Sequence, residues 1–360
     1  MNDRAEPRRP ARRRTGAGAL RPVLLGVIGG AVLGGAVLFP DALGLRTITG
    51  FVHLSALRAP VTLVVLVLLP VLALLLRFPR PRRVLAGLLG GIAVLALASA
   101  GILVDRAVAG AARAESAAAG SGSAAKQPGD TLTVLTANVL IGNSGYDSVL
   151  VDAADAGADV IALQETSPAI AAQILHRTGL SADYAIAAVS VRSGVDTAAT
   201  ILLVRPALEP AEIDGTPLPF ATAGVRTTVG DVYAVHTYAP IDLAPRQFNW
   251  WRSVSESAAL CRAGEGTLVV GDFNAALDHH ALHGHTDCAD AGAELGMGVT
   301  GTWPAAVRGM AWPRPLGTVI DHQLFDPRTF GAQHGRVVDI PGSDHRGVLV
   351  EYRVGAMMEP

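Results

Sequence analysis

Lysine is nearly missing from this 360-residue chain: Lys126 is the only one, and arginine supplies the rest of the basic charge. Cysteine is scarce too. Cys261 and Cys288 stand alone, with no CxxC pair, which excludes a cysteine-rich structural zinc site. The two thiols are read either as buried free cysteines or, if the surroundings are oxidising, as a disulfide. No repeat of 20–50 residues is visible. The most informative absence is charge within three apolar runs, at about Pro22–Phe39, Val61–Leu76 and Val84–Val104. A core helix of a soluble domain carries a polar face at helical spacing, and none of these runs has one. The first and third are long enough to cross a bilayer, which takes ~17–25 residues, and the second is so once Ala59 and Pro60 are included. A cleaved signal peptide accounts for one such run, not three.

What is present is an uneven charge. Residues 1–105 hold 13 of the 29 basic and 4 of the 31 acidic residues, leaving 16 and 27 in residues 106–360, a net of −11. Arg4, Arg8, Arg9, Arg12, Arg13, Arg14 and Arg21 precede the first run, and Arg77, Arg80, Arg82 and Arg83 separate the second from the third. Only Arg46 and Arg58 lie between the first and second. Arginine concentrates on the cytoplasmic face. The sequence therefore predicts a basic cytoplasmic tail (1–21), three membrane spans (22–104) and an extracytoplasmic remainder. Residues 105–130 are small and low in complexity, the composition of a flexible linker. Residues 131–360 suffice for one full domain.

That domain alternates strand-like runs (Thr131–Ala137, Val160–Leu163, Ala199–Val204, Asp231–His236, Thr267–Val270, Val319–Phe325 and Gly347–Tyr352) with helical stretches at Tyr146–Ala156, Pro168–Thr178 and Arg246–Ala263. The pattern predicts an α/β fold with a mixed sheet and helices outside it. Polar residues gather where the runs end. Asn138 follows TLTVLTA, Gln164 and Glu165 follow VIAL, and His236 closes VYAVH. Asp272 and Asn274 follow TLVV, Asp321 heads a β-like run, and Ser343, Asp344 and His345 precede GVLVEY. Strand ends facing one sheet edge are where such folds collect their chemistry.

The pieces TANVL, LQET, VHTYAP, GDFNA, IDHQLF and GSDHRG occur in an order that resembles the endonuclease/exonuclease/phosphatase superfamily, and they span nearly the whole domain. The resemblance implies a four-layer α/β sandwich of the DNase I-like kind, here preceded by three transmembrane helices. It also implies metal-dependent phosphoester hydrolysis with Mg²⁺ or Mn²⁺. Glu165 would be the main metal ligand, with Asn138 beside it and Asp344 contacting the ion or its waters. Asp272 would orient or deprotonate the attacking water. Asn274, His236 and Asn138 would contact the substrate phosphate, and Asp321 would pair with His345. The residue types suit the reaction: carboxylates hold a hard cation that neutralises developing charge, and an imidazole fixed by a carboxylate moves a proton near neutral pH.

One departure stands out. In the DNase-like branch a glutamate on the strand like TILLVRP supports the first histidine, and here that stretch offers Ala199 and Thr200. His279, His280, His283 and His285 follow GDFN and are read as a solvated loop or an extra metal site. Three spans ahead of an outward-facing domain, with GTWP at Gly301–Pro304, resemble the bacterial membrane phosphoesterases grouped with vancomycin-resistance-type accessory proteins. The expected activity is hydrolysis of a lipid-linked or envelope phosphate at the bilayer's outer side. An extracellular nuclease is the alternative. The net of −11 argues against nucleic acid as partner, although Arg192, Arg205 and Arg226 leave room for a local basic patch. A non-enzymatic membrane sensor is the third reading.

Overall fold

The computed structural model describes residues 17–46, 48, 50–77, 82–120, 131–191, 198–213, 218, 220–241, 246–262, 265–283 and 287–355. Most of the basic tail, residues 121–130, Arg80, Arg192 and His285 lie outside the described residues.

The apolar runs form α1 (Ala17–Leu38), α3 (Arg58–Ala73, prolonged by a 3-10 turn to Arg77) and α4 (Arg82–Gly120), with a short α2 (Phe51–Ala56) before α3. Leu20–Leu38, Arg58–Arg77 and Arg82–Val108 are long and apolar enough to cross a membrane. α1 and α4 touch backbone to backbone. A Cβ at Gly30 would lie 2.2 Å from the Leu88 carbonyl oxygen, and one at Gly87 would lie 2.2 Å from that of Val23. Small residues of this kind let helices approach closely where lipid removes the hydrophobic drive. The expected flexible linker is corrected in part: residues 105–120 continue α4. The stretch is dominated by alanine, the strongest helix former, so a composition that reads as low complexity also favours helix.

The remaining chain forms β1 (Thr131–Asn138), α5 (Asp147–Asp155), β2 (Val160–Thr166), α6 (Pro168–Thr178), β3 (Ala185–Ser190), β4 (Ala199–Val204), β5 (Ala211–Glu212), β6 (Thr222–Thr227) and β7 (Gly230–His236). There follow α7 (Arg246–Ala258), β8 (Thr267–Asp272), α8 (His280–His283), β9 (Ala289–Asp290), α9 (Ala291–Glu294), the hairpin β10 (Ala306–Val307) and β11 (Met310–Ala311), β12 (Asp321–Phe325), β13 (Phe330–Asp339) and β14 (Arg346–Val354). Two six-stranded sheets result, ordered β13-β14-β1-β2-β4-β3 and β5-β6-β7-β8-β12-β9. Each is built around one parallel pair, β1 with β2 and β7 with β8. An antiparallel strand flanks each pair, β14 on β1 and β12 on β8.

The core explains why the strands read as unbroken apolar runs. Alternate side chains point to opposite faces, and both faces are covered. Leu132, Val134, Val160, Ala162, Leu202, Val232, Leu268 and Val270 meet between the sheets. Their neighbours Leu135, Ile161, Leu163, Ile201 and Leu203 pack outward under α5 and α6. On the second sheet Val235, Val269 and Leu324 pack with Trp250 and Val254 of α7. Helix, sheet, sheet, helix is the expected four-layer sandwich. Cys261 and Cys288 are joined, with Cα atoms 6.1 Å apart, tying the segment after α7 to the approach to β9.

Candidate active site

Strand register assembles the site. In the second sheet Asp272, the last residue of β8, lies opposite His236 of β7 and Asp321 of β12. In the first, Asn138 ends β1 beside Gln164 of β2. The two edges meet because the Asn138 side-chain amide donates to Glu165 Oε1 and to Asp272 Oδ2, both at 3.0 Å. Asn138 Oδ1 accepts from the Leu140 amide. Asn138 thus bridges two carboxylates as a donor, and its oxygen is turned away from them.

Local backbone aims each group. Glu165 has φ 59° where the β2–β4 register shifts, an irregularity that swings its carboxylate toward the edge. Its Oε2 accepts from the Ile141 amide. Gln164 faces the other way and bonds Thr136. In GDFN, Gly271 has φ 148° and a Cβ there would lie 2.0 Å from the Val235 carbonyl oxygen, so only glycine allows β8 to run this close to β7. Asn274 takes φ 47°, a conformation asparagine tolerates. Its amide nitrogen donates to Asp272 Oδ1 at 2.8 Å, and its side chain donates to the Thr237 carbonyl.

On the far side, Ser343 donates to the Asn138 carbonyl and accepts from the His345 amide, locking the SDH turn to β1. His345 Nδ1 lies 3.0 Å from Asp321 Oδ2, and its Nε2 lies 3.7 Å from Asp272 Oδ2. His236 Nε2 lies 3.6 Å from Glu165 Oε1 and 3.7 Å from Asp272 Oδ2. The His236 Nδ1 atom is buried without a partner, and so is the Thr200 hydroxyl on β4. Asp344 is half-buried and accepts from the Trp303 indole at 3.1 Å.

Buried charge is concentrated at this edge. Burial pushes the Asp272 carboxyl up; His345 pulls it down and Asp321 adds to the rise. Burial alone would lower the His345 ring, but Asp321 and Asp272 outweigh it and raise it to about 10. One oxygen of Asp321 is buried without a hydrogen-bond partner. Asp272, Asp321 and His345 offer ligand atoms within 4.8 Å of one another, the one such group among the described residues. Hard oxygens crowded in this way, one of them unsatisfied, fit a divalent cation.

All the singled-out residues except Asp344 therefore join in one contact network, and Asp344 adjoins it as the chain neighbour of His345, whose positive charge it favours. Ser343 and Trp303 lay inside the quoted stretches, but only their contacts reveal what they hold. Of the histidine cluster, His279 differs from either expectation. The His279 ring is buried, accepts from the Ala276 amide on Nδ1 and donates from Nε2 to the Val52 carbonyl, so both nitrogens are used. Arg205 lies over the Tyr184 ring and Arg226 pairs with Asp231, so neither adds to a free basic patch.

Solved structures similar to this chain include the 3'-5' exonuclease NExo of Neisseria meningitidis, 20% identical over 62% of this chain and 100% of that one, with a TM-score of 0.46. The mannosyl-6-phosphatase of Bacteroides thetaiotaomicron is 16% identical over 61% and 99%, with a TM-score of 0.43. D. rerio TDP2 complexed with single-strand DNA product is 18% identical over 62% and 99%, with a TM-score of 0.45. No curated protein matches. The profile of the Endonuclease/Exonuclease/phosphatase family, whose enzymes typically depend on a divalent metal, matches residues 135–345, more than half of the chain and every residue of the network above, and the chain belongs to that family.

Proposed function

We propose that the protein is a membrane-anchored, metal-dependent phosphoesterase acting on a lipid-linked or envelope phosphate at the outer face of the membrane, in the branch with the vancomycin-resistance-type proteins. The observation that carries the hydrolytic reading is the buried Asp272–Asp321–His345 group bridged by Asn138 to Glu165. Glu165 and Asp272 would hold the cation, with Asp344 reaching its waters. When bound, the ion supplies charge neutralisation at the phosphate and open positions for water and substrate. Asp272 orients the attacking water and draws its proton. His345, kept protonated by Asp321, donates from Nε2 to a phosphoryl or leaving oxygen. Asn274 and His236 donate to the remaining phosphoryl oxygens.

Location and substrate class rest on three supports. The loop between α1 and α2 and the catalytic domain are in contact, so they share one side of the bilayer. Arg46 of that loop lies over Trp251, and Arg58, which opens α3, pairs with Asp278; the opposite side keeps the arginine excess that marks the cytoplasm. The disulfide suits an oxidising compartment. The rim of the site is apolar: Ile141 beside Glu165, Trp303 beside Asp344 and Met310 on the adjoining hairpin are exposed. The turn Arg314–Leu316 that follows the hairpin lies against α3.

The purified full chain in nanodiscs, given Mg²⁺ or Mn²⁺, should hydrolyse a generic diester and a lipid phosphate and leave plasmid DNA intact. Cleavage of DNA alone would replace this reading with the nuclease. Glu165→Ala should raise the Mn²⁺ concentration for half-maximal rate by ~10–100-fold or more, the range produced by removing even an outer partner of a ligand, and excess Mn²⁺ should restore part of the rate. A reporter fused after Gly120 should be active only if it is one that works outside the cytoplasm; strong signal from a cytoplasm-only reporter reverses the topology.

A further inference from the structure

The segment leaving β8 carries Asp272 and Asn274, and its next residues are held one by one. The Trp250 indole donates to the Asn274 carbonyl at 2.9 Å, His322 Nε2 lies 2.8 Å from the Ala275 carbonyl, and the Ala276 amide donates to His279. The first two holders belong to the catalytic domain. The third is itself fixed from outside it, since His279 donates to the Val52 carbonyl of α2. Val52 is fully buried among Trp250, Phe273 and Leu282, part of the domain's own core.

Two further contacts extend the hold. Asp278 takes a two-pronged bond from Arg106 of α4, at 2.7 and 3.0 Å, and lies 2.8 Å from Arg58 Nε at the start of α3. The His280 amide donates to Asp41, in the turn after α1. Burial would raise the Asp278 carboxyl, but Arg106 and Arg58 outweigh it and hold it below the usual range, so it stays ionised. A bidentate arginine–carboxylate pair out of bulk water fixes direction as well as distance.

We propose that the membrane region is a working part of the active site: Asp278, clamped by Arg58 and Arg106, and His279, clamped by Val52, are positioning residues that set the strand-end segment bearing Asp272 and Asn274. This rests on the phosphoesterase reading and goes beyond anchorage. A tether would hold the domain near lipid and leave its chemistry alone. A clamp on this segment governs turnover even for a substrate that never meets a membrane.

The test uses the full chain in nanodiscs with Mg²⁺ and a water-soluble diester, bis(p-nitrophenyl) phosphate. Asp278→Ala should lower kcat by ~10–100-fold, as small misplacements of catalytic groups do, with KM changed by less than about twofold. Amides 275–283 should exchange hydrogen faster, and Mn²⁺ should bind more weakly. Should that variant fail to fold, Arg106→Ala, outside the catalytic domain, makes the same test. Arg106→Lys, which keeps the charge but only one prong of the bond, should retain most of kcat and protection together. Faster exchange with unchanged kcat overturns the proposal, as does lost kcat with unchanged exchange. If the wild type binds Mn²⁺ yet hydrolyses no phosphoester, the functional reading falls while Mn²⁺ affinity and exchange still score the clamp.

Discussion

Substituting alanine for His345 is expected to cut turnover by ~10²–10⁴-fold, the range for a lost proton-transfer group, and added Mg²⁺ or Mn²⁺ should not restore it. The ring is 6% exposed and spans Asp321 and Asp272, so its removal leaves one carboxylate without its hydrogen-bond donor and the other without one of the two rings beside it. On the proposal that Asp321 acts through the ring, combining His345→Ala with Asp321→Ala should add little to the single loss, as for residues that work as a unit. A turn-capping role for the SDH segment predicts the reverse: lower thermal stability and unchanged turnover per folded molecule. Measuring melting temperature and kcat on one preparation separates the two, and unchanged turnover removes His345 from the mechanism.

The second large effect is on stability. His322 lies next to Asp321 but its ring points into the second sheet's outer layer. Nδ1 lies 2.7 Å from Asp290 Oδ2 and Nε2 lies 2.8 Å from the Ala275 carbonyl. Both partners accept, so the ring satisfies them only as a cation. Burial opposes that charge, and Asp290 outweighs it and raises the ring's pKa. His322→Ala strands a buried carboxylate and should destabilise by ~3–5 kcal/mol, about 10 °C in a domain of this size. The sign with pH follows. A raised folded value gives stability that is complete below the unfolded value of about 6.5 and is lost as pH rises through the folded one. The gap between wild type and variant should therefore narrow toward alkaline pH. A gap that stays constant would mean that the ring is neutral and Asp290 carries the proton.

The strand ends that meet at the candidate site are legible because strands buried on both faces must be apolar throughout. VIAL, TILLV and TLVV stand out, and the polar residue closing each is conspicuous. The half-exposed strands are not: β13 reads FGAQHGRVVD, with Gly, Gln, His and Arg where its outer positions meet water. The same holds for β3, and β6, though mostly buried, reads TAGVRT, with a glycine and an arginine interrupting its apolar run. The helix expected over Arg246–Ala263 ends at Ala258. The contacts that define the site span long separations. Asn138 reaches Asp272 across 134 positions, His322 finds Asp290 across 32, and Arg106 finds Asp278 across 172. Arg58, counted as a flanking charge, turned out to be a buried partner of Asp278. Local pattern places each residue on its element; which distant carboxylate it meets is decided by how the sheets stack.

The unbroken α4 has a geometric consequence. It holds 39 residues, so it rises ~58 Å, about twice the ~30 Å of a bilayer's hydrocarbon. Arg106 sits on that same rod, and its reach to Asp278 depends on rotational phase. Inserting one residue between Ala100 and Arg106 turns the guanidinium by about 100° and lifts it ~1.5 Å; inserting four brings it back to within ~40° of its old bearing but ~6 Å higher. Clasp strength should therefore oscillate with insertion length at the period of the helix, whereas a coil joining the same two parts would respond to length alone.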